Sequence, residues 1–131
     1  MQNDATAVYS PKLYDNFIKE YDSLIAGAFP YALIHLHPSS LFMLDNFLDI
    51  KEIDCFEINK DPDTLTMEEM LPYLQKIQKE DRALYIRGVV KESDFQIIKE
   101  NLSAKGLCIQ IVTDSVSEAR ELYSSFKKIY S

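Results

Sequence analysis

Glycine is scarce in this chain, three residues of 131, and the five prolines are scattered rather than clustered. There is no P-loop, no G-x-G-x-x-G and no G-x-S-x-G, which sets aside the phosphate-cradling and serine-elbow chemistries that those loops serve. No apolar run reaches the length of a membrane span. The opening residues Met1-Gln2-Asn3-Asp4-Ala5-Thr6 lack the basic and apolar regions of a secretory signal, so a cytoplasmic location is expected. Only two cysteines occur, Cys55 and Cys108, both inside strand-like apolar runs. They are expected to be reduced, small core residues, because neither has the electropositive, helix-terminal setting of a nucleophile. Cations are also outnumbered: 14 Lys and Arg against 21 Asp and Glu give a net charge of -7. An acidic chain repels phosphate backbones, so nucleic acid is not expected as a partner.

What is present is an ordinary globular composition, 47% hydrophobic and 27% charged, in a chain long enough for one core. Residues 1–10 are polar and aperiodic and read as a tail or linker, with residues 11–131 as the folded domain. Leu13, Phe17, Tyr21, Leu24 and Ile25 recur at helical spacing and predict a helix from Pro11 to Ala28. Four strand–helix pairs follow. The predicted strands are 31–37, 53–59, 83–89 and 107–112. After the first strand, Ser39 or Ser40 can cap a helix from Leu41 to Asp49. Thr66-Met67-Glu68-Glu69 is a capping-box pattern opening a helix to Glu80, with Pro72 inside it. The Met67, Met70, Leu71 and Leu74 stripe on that helix is expected to pack on the sheet. A helix from Ser93 to Ala104 ends at Gly106, and Ser115 or Ser117 caps the last one, to Tyr130. Strands separated by helices run parallel, with right-handed crossovers. The predicted fold is therefore α/β, four parallel strand–helix units amounting to half of a TIM-type barrel.

The strands alternate in an unusual way for a parallel sheet. Strands buried on both faces normally read as continuous Val, Ile and Leu runs. Here one face carries Ile34, Leu36, Phe56, Ile58, Leu84, Ile86, Ile109 and Ile111. The other carries His35, His37, Cys55, Glu57, Asn59, Tyr85, Arg87, Cys108 and Gln110. Side chains alternate with period two, so the polar set faces away from the helices. In β/α barrels the strand C-termini and following loops build the site. That selects His35, His37, Glu57, Asn59, Asp61 and Arg87 as candidate substrate-binding residues, with Gly88 and Thr113-Asp114 at neighbouring loops. The alternative is a structural polar layer, with Glu57 and Arg87 as an ion pair between neighbouring strands. His35 and His37 share one strand face and could both ligate a metal, with Glu57 as a third ligand; hydrogen-bonded structural or substrate-binding histidines are the alternative.

The run Ile34-His35-Leu36-His37-Pro38-Ser39-Ser40-Leu41-Phe42 resembles the His-containing strand and loop of the uroporphyrinogen decarboxylase-like superfamily. The run Glu57-Ile58-Asn59-Lys60-Asp61-Pro62, followed by Met70 to Gln78, does so as well, and the resemblance extends from about Leu13 to Tyr130. Its nearest branch holds corrinoid-dependent methyltransferases. The resemblance implies a TIM-type barrel of which this chain is the C-terminal half. It implies methyl transfer between a corrinoid, supplied by a partner protein, and a thiol activated by zinc. Zinc members carry His-x-Cys where this chain has His35-Leu36-His37, and a further Cys in a loop that here is Thr113-Asp114-Ser115. His35 thus matches the pattern, and His37 stands as a substitute. Two readings of function follow: part of a methyltransferase-like enzyme whose half-barrel alone is inactive, or a non-catalytic half-barrel serving assembly or ligand binding. Four strands cannot close a barrel, so the His35 and Gln110 strands are expected to have open edges. A homo-oligomer is the expected remedy, with the Pro11 to Ala28 helix capping the open face as the competing outcome.

Overall fold

The computed structural model describes residues 1–130. After a short 3-10 turn at Asp4–Val8 come helices α1 (Pro11–Phe17) and α2 (Lys19–Gly27). Strand β1 (Leu33–Leu36) leads through a 3-10 segment, Pro38–Met43, into α3 (Leu44–Leu48). Then follow β2 (Cys55–Lys60), α4 (Met67–Lys79), β3 (Ala83–Gly88), α5 (Glu92–Asn101), β4 (Leu107–Ile111) and α6 (Val116–Tyr130). The four strands form one sheet in chain order, β1-β2-β3-β4, and all three pairings are parallel. This is the predicted α/β arrangement, and its order and direction suit a half-barrel.

The register follows the alternation. Ile34 pairs with Phe56, Phe56 with Leu84, and Ile58 with Ile86, all fully buried. The helices supply Phe47, Met67, Met70, Leu74, Ile77, Phe95 and Ile98 to the same core. Local sequence sets the helix starts. The Thr66 hydroxyl accepts from the Glu69 amide at 3.2 Å, and the Glu69 carboxylate accepts from the Thr66 amide at 2.7 Å. Ser115, rather than Ser117, caps α6 by accepting from the Glu118 amide at 3.2 Å. Pro72 lies in the second turn of α4.

Three expectations are corrected. The single N-terminal helix breaks at Ile18, and it is turned the other way. Phe17, Tyr21 and Leu24 are 69%, 65% and 66% exposed, whereas Tyr14, Asp22 and Ala26 are buried. The reason is a competing set of contacts: the Tyr14 ring meets Phe47 edge-on at 5.0 Å, and its hydroxyl donates to Asp22 at 2.7 Å. These helices lie against α3, through Lys19 on Asp49 and Asn46 on Asp15, and do not cap the open sheet face. Ser40 does not cap α3. Its hydroxyl donates back to the His37 carbonyl, because Pro38 starts a tight 3-10 segment there. Lastly, the first residues are not a loose tail, and the β1 edge is not open. The Met1 nitrogen donates to Leu33 O, Met1 O accepts from the His35 amide at 2.9 Å, and Thr6 is buried. Beyond β4 no further strand is paired among the described residues.

Candidate functional site

His35 is placed by strand alternation on the face away from the helices, directly across from Glu57 in the β1–β2 register. His37 lies one residue beyond the strand. The following Pro38 disfavours helical backbone at that position, and His37 is extended (φ -92°, ψ 160°), so its ring returns to the His35 side. The two rings meet edge-on, with centroids 4.7 Å apart. Asp61 follows β2, and its backbone carbonyl accepts from the Thr64 hydroxyl at 2.8 Å.

Five of the six candidate residues form one chain of contacts through these rings. His35 Nδ1 is 3.0 Å from Glu57 Oε1, and His37 Nδ1 is 2.8 Å from Asp61 Oδ2. Asn59 donates to the other Asp61 oxygen. An ionised carboxylate only accepts, so each Nδ1 carries a hydrogen, and each neutral ring presents its lone pair at Nε2. Those two Nε2 atoms face each other at 3.1 Å. Two lone pairs at that distance repel, unless a proton or a cation lies between them. Arg87 belongs to the same surface but more loosely, its Nη1 3.8 Å from Glu57 Oε1 and its side chain 43% exposed. Met1, Gln2, His35, Glu57, Tyr85 and Arg87 line a shallow groove across β1 to β3.

The donors fit a divalent transition metal. Zinc–imidazole bonds of about 2.0–2.1 Å in a tetrahedron put two nitrogens roughly 3.3–3.4 Å apart, close to the separation seen. Imidazoles whose other nitrogen donates to a carboxylate are the usual oriented form of a ligating His. Glu57, weighed as a third ligand, is instead the partner of His35 Nδ1 on the far side of the ring.

Sequence reading missed Asp4. Its Oδ1 lies 3.9 Å from His37 Nε2, and Asp4, His35 and His37 can each offer an atom within 4.8 Å of the others. No periodicity marks residues 1–10, so only the packed structure brings Asp4 here. Thr113 and Asp114 stand apart, on a surface shared with Val116, Ala119, Arg120 and Tyr123. The cysteines are not core residues: Cys55 is half-buried and Cys108 exposed, because both lie on the polar face. Burial, with smaller contributions from Cys108, Glu57 and Asp54, pushes the Cys55 thiol up and so keeps it protonated and unreactive. Burial and the Glu57 charge likewise raise the Tyr85 phenol. No helix among the described residues is long and apolar enough to cross a membrane.

No family model, no curated protein and no solved structure matches this chain.

Proposed function

We propose that this chain is the metal-holding part of a parallel β/α barrel, with a zinc-class divalent ion held by His35 and His37. The facing of two Nε2 atoms at 3.1 Å, each ring tied at Nδ1 to a carboxylate, carries this reading. A metal so held supplies Lewis-acid chemistry, lowering the pKa of a bound water or thiol. The chain's own residues would orient the ligands: Glu57 fixes the His35 tautomer, Asp61 that of His37, and Asn59 steadies Asp61. The Tyr85 and Arg87 side of the groove would receive the reacting partner. Its fuller form is the resemblance: the C-terminal part of a uroporphyrinogen decarboxylase-like barrel, transferring a methyl group between a corrinoid protein and a thiol. The site at the C-terminal end of β1 supports that form. A non-catalytic unit for assembly or ligand binding is the second reading, favoured by the distance of the Thr113-Asp114-Ser115 loop from the histidines. The unpaired outer edge of β4 supports a homo-oligomer in either case.

Calorimetric titration of zinc into chelator-stripped protein tests the metal. Saturation at one ion per chain is expected for the wild type, and only dilution heat for a His35→Ala, His37→Ala double variant. Identical heats from the two proteins would remove the proposal. Methyl transfer from methylcobalamin to a small thiol, assayed with this chain joined to the other half of the barrel, then separates the enzyme reading from the non-catalytic one.

A further inference from the structure

Residues 1–9 form a strap along the edge of β1. At one end the Met1 carbonyl accepts from the His35 amide at 2.9 Å, and Gln2 forms a parallel bridge with His35. Farther along, the Asn3 side chain donates to Asp22 at 2.9 Å, the same carboxylate oxygen that accepts from Tyr14, and Thr6 is buried. Between these anchors lies Asp4. Its Oδ1 points at the histidine pair, 3.9 Å from His37 Nε2, while its Oδ2 accepts from the Gln2 side chain at 2.8 Å. A carboxylate with one oxygen held by a neighbour and the other aimed at two imidazole nitrogens has the arrangement of a ligating carboxylate. The strap also walls the groove, through Met1 and Gln2.

We propose that Asp4 is the third ligand of the metal centre, and that metal occupancy therefore clamps the strap onto the β1 edge. This rests on the metal reading above and adds the ligand set and its regulation. Two histidines and a carboxylate leave a fourth tetrahedral position for water or substrate, the composition of catalytic rather than structural zinc sites. Because Asp4 belongs to the strap, and His35 and His37 to β1 and the residue that follows it, binding the ion and docking the strap are one linked equilibrium. By linkage, each must strengthen the other by the same factor. The ion thus closes the wall of its own groove, and its loss loosens that wall.

The His35 amide is a direct reporter, because its hydrogen bond runs to Met1 and breaks when the strap lifts. Residue-resolved hydrogen exchange with and without zinc is the measurement, and the Tyr85 amide, on the side of β3 that faces β2, monitors global opening. Zinc is expected to slow His35 exchange about tenfold more than Tyr85, within the usual range of such couplings. In Asp4→Asn the excess should vanish and zinc affinity should fall by about 10–100-fold. Asp4 is exposed, so this variant keeps the fold. Zinc binding with no excess protection of His35, or unchanged affinity in Asp4→Asn, overturns the clamp and leaves the two-histidine reading standing. Absence of zinc binding in the wild type overturns both.

Discussion

Replacing Glu57 by Gln changes one charge at the centre of the site and almost no volume. The carboxylate is 13% exposed, 3.0 Å from His35 Nδ1 and 3.8 Å from Arg87 Nη1. A hydrogen bond to a charged group contributes about 1.5–3 kcal/mol, and a neutral one about 0.5–1.5 kcal/mol. The difference, about 1–2 kcal/mol, falls on the metal-bound state, where the imidazole shares the ion's positive charge. At roughly 1.4 kcal/mol per decade, zinc affinity should drop about 5–30-fold. A glutamine can also turn its NH2 toward the ring, which would move the ring hydrogen to Nε2 and add to the loss. The Arg87 contact is too long for a hydrogen bond, so its loss should add little. Competition between the protein and a colorimetric zinc chelator reads the affinity, and urea midpoints separate it from a stability effect. Affinity within twofold of wild type, at an unchanged midpoint, would refute the claim that Glu57 orients a ligand.

Gly88→Ala should destabilise by about 2–6 kcal/mol, combining a left-handed backbone with overpacking. Gly88 has φ +127°, and an added Cβ would meet the Lys60 carbonyl oxygen at 2.4 Å, which is backbone and cannot rotate away. Urea unfolding reads this, and a midpoint equal to wild type would show the β2–β3 contact to be looser than described. Tyr14 gives a pH prediction. Burial first, then the Asp22 hydrogen bond and charge, raise its phenol far above the ordinary 10.0. A group raised on folding contributes stability below its unfolded value and loses it as pH climbs above that value. Stability should therefore fall progressively above pH 10.0, less steeply in Tyr14→Phe, as followed by circular dichroism.

Alternation made the sheet legible. Ile34, Phe56 and Ile86 against His35, Glu57 and Arg87 fix which face meets the helices, and consecutive strands fix the order. The histidine pair was legible for the same reason, since residues two apart on a strand share a face. The N-terminal helices were not. Leu13, Phe17, Tyr21 and Leu24 make the stronger apolar stripe, yet Tyr14, with a ring partner in Phe47 and an acceptor in Asp22, sets the orientation. Asp4 was hidden because its position depends on a parallel bridge between Gln2 and β1, a long-range pairing that leaves no local periodicity.

The last strand–helix unit is attached differently from the others. No residue of α6 is fully buried, and Leu107, Ile109 and Ile111 of β4 are only half-covered, whereas the apolar positions of β2 and β3 are sealed. β4 is held by its pairing with β3, and α6 is held on α5 by Phe126, which meets Phe95 edge-on at 5.4 Å, and by the Tyr130 hydroxyl, which donates to the Phe95 carbonyl at 3.4 Å. Cooperative units with few buried apolar contacts open first. This end of the sheet is therefore a fringe that can fray and re-anneal on its own. Two strands separate it from His35 and His37, so the histidine pair can hold its geometry while it does.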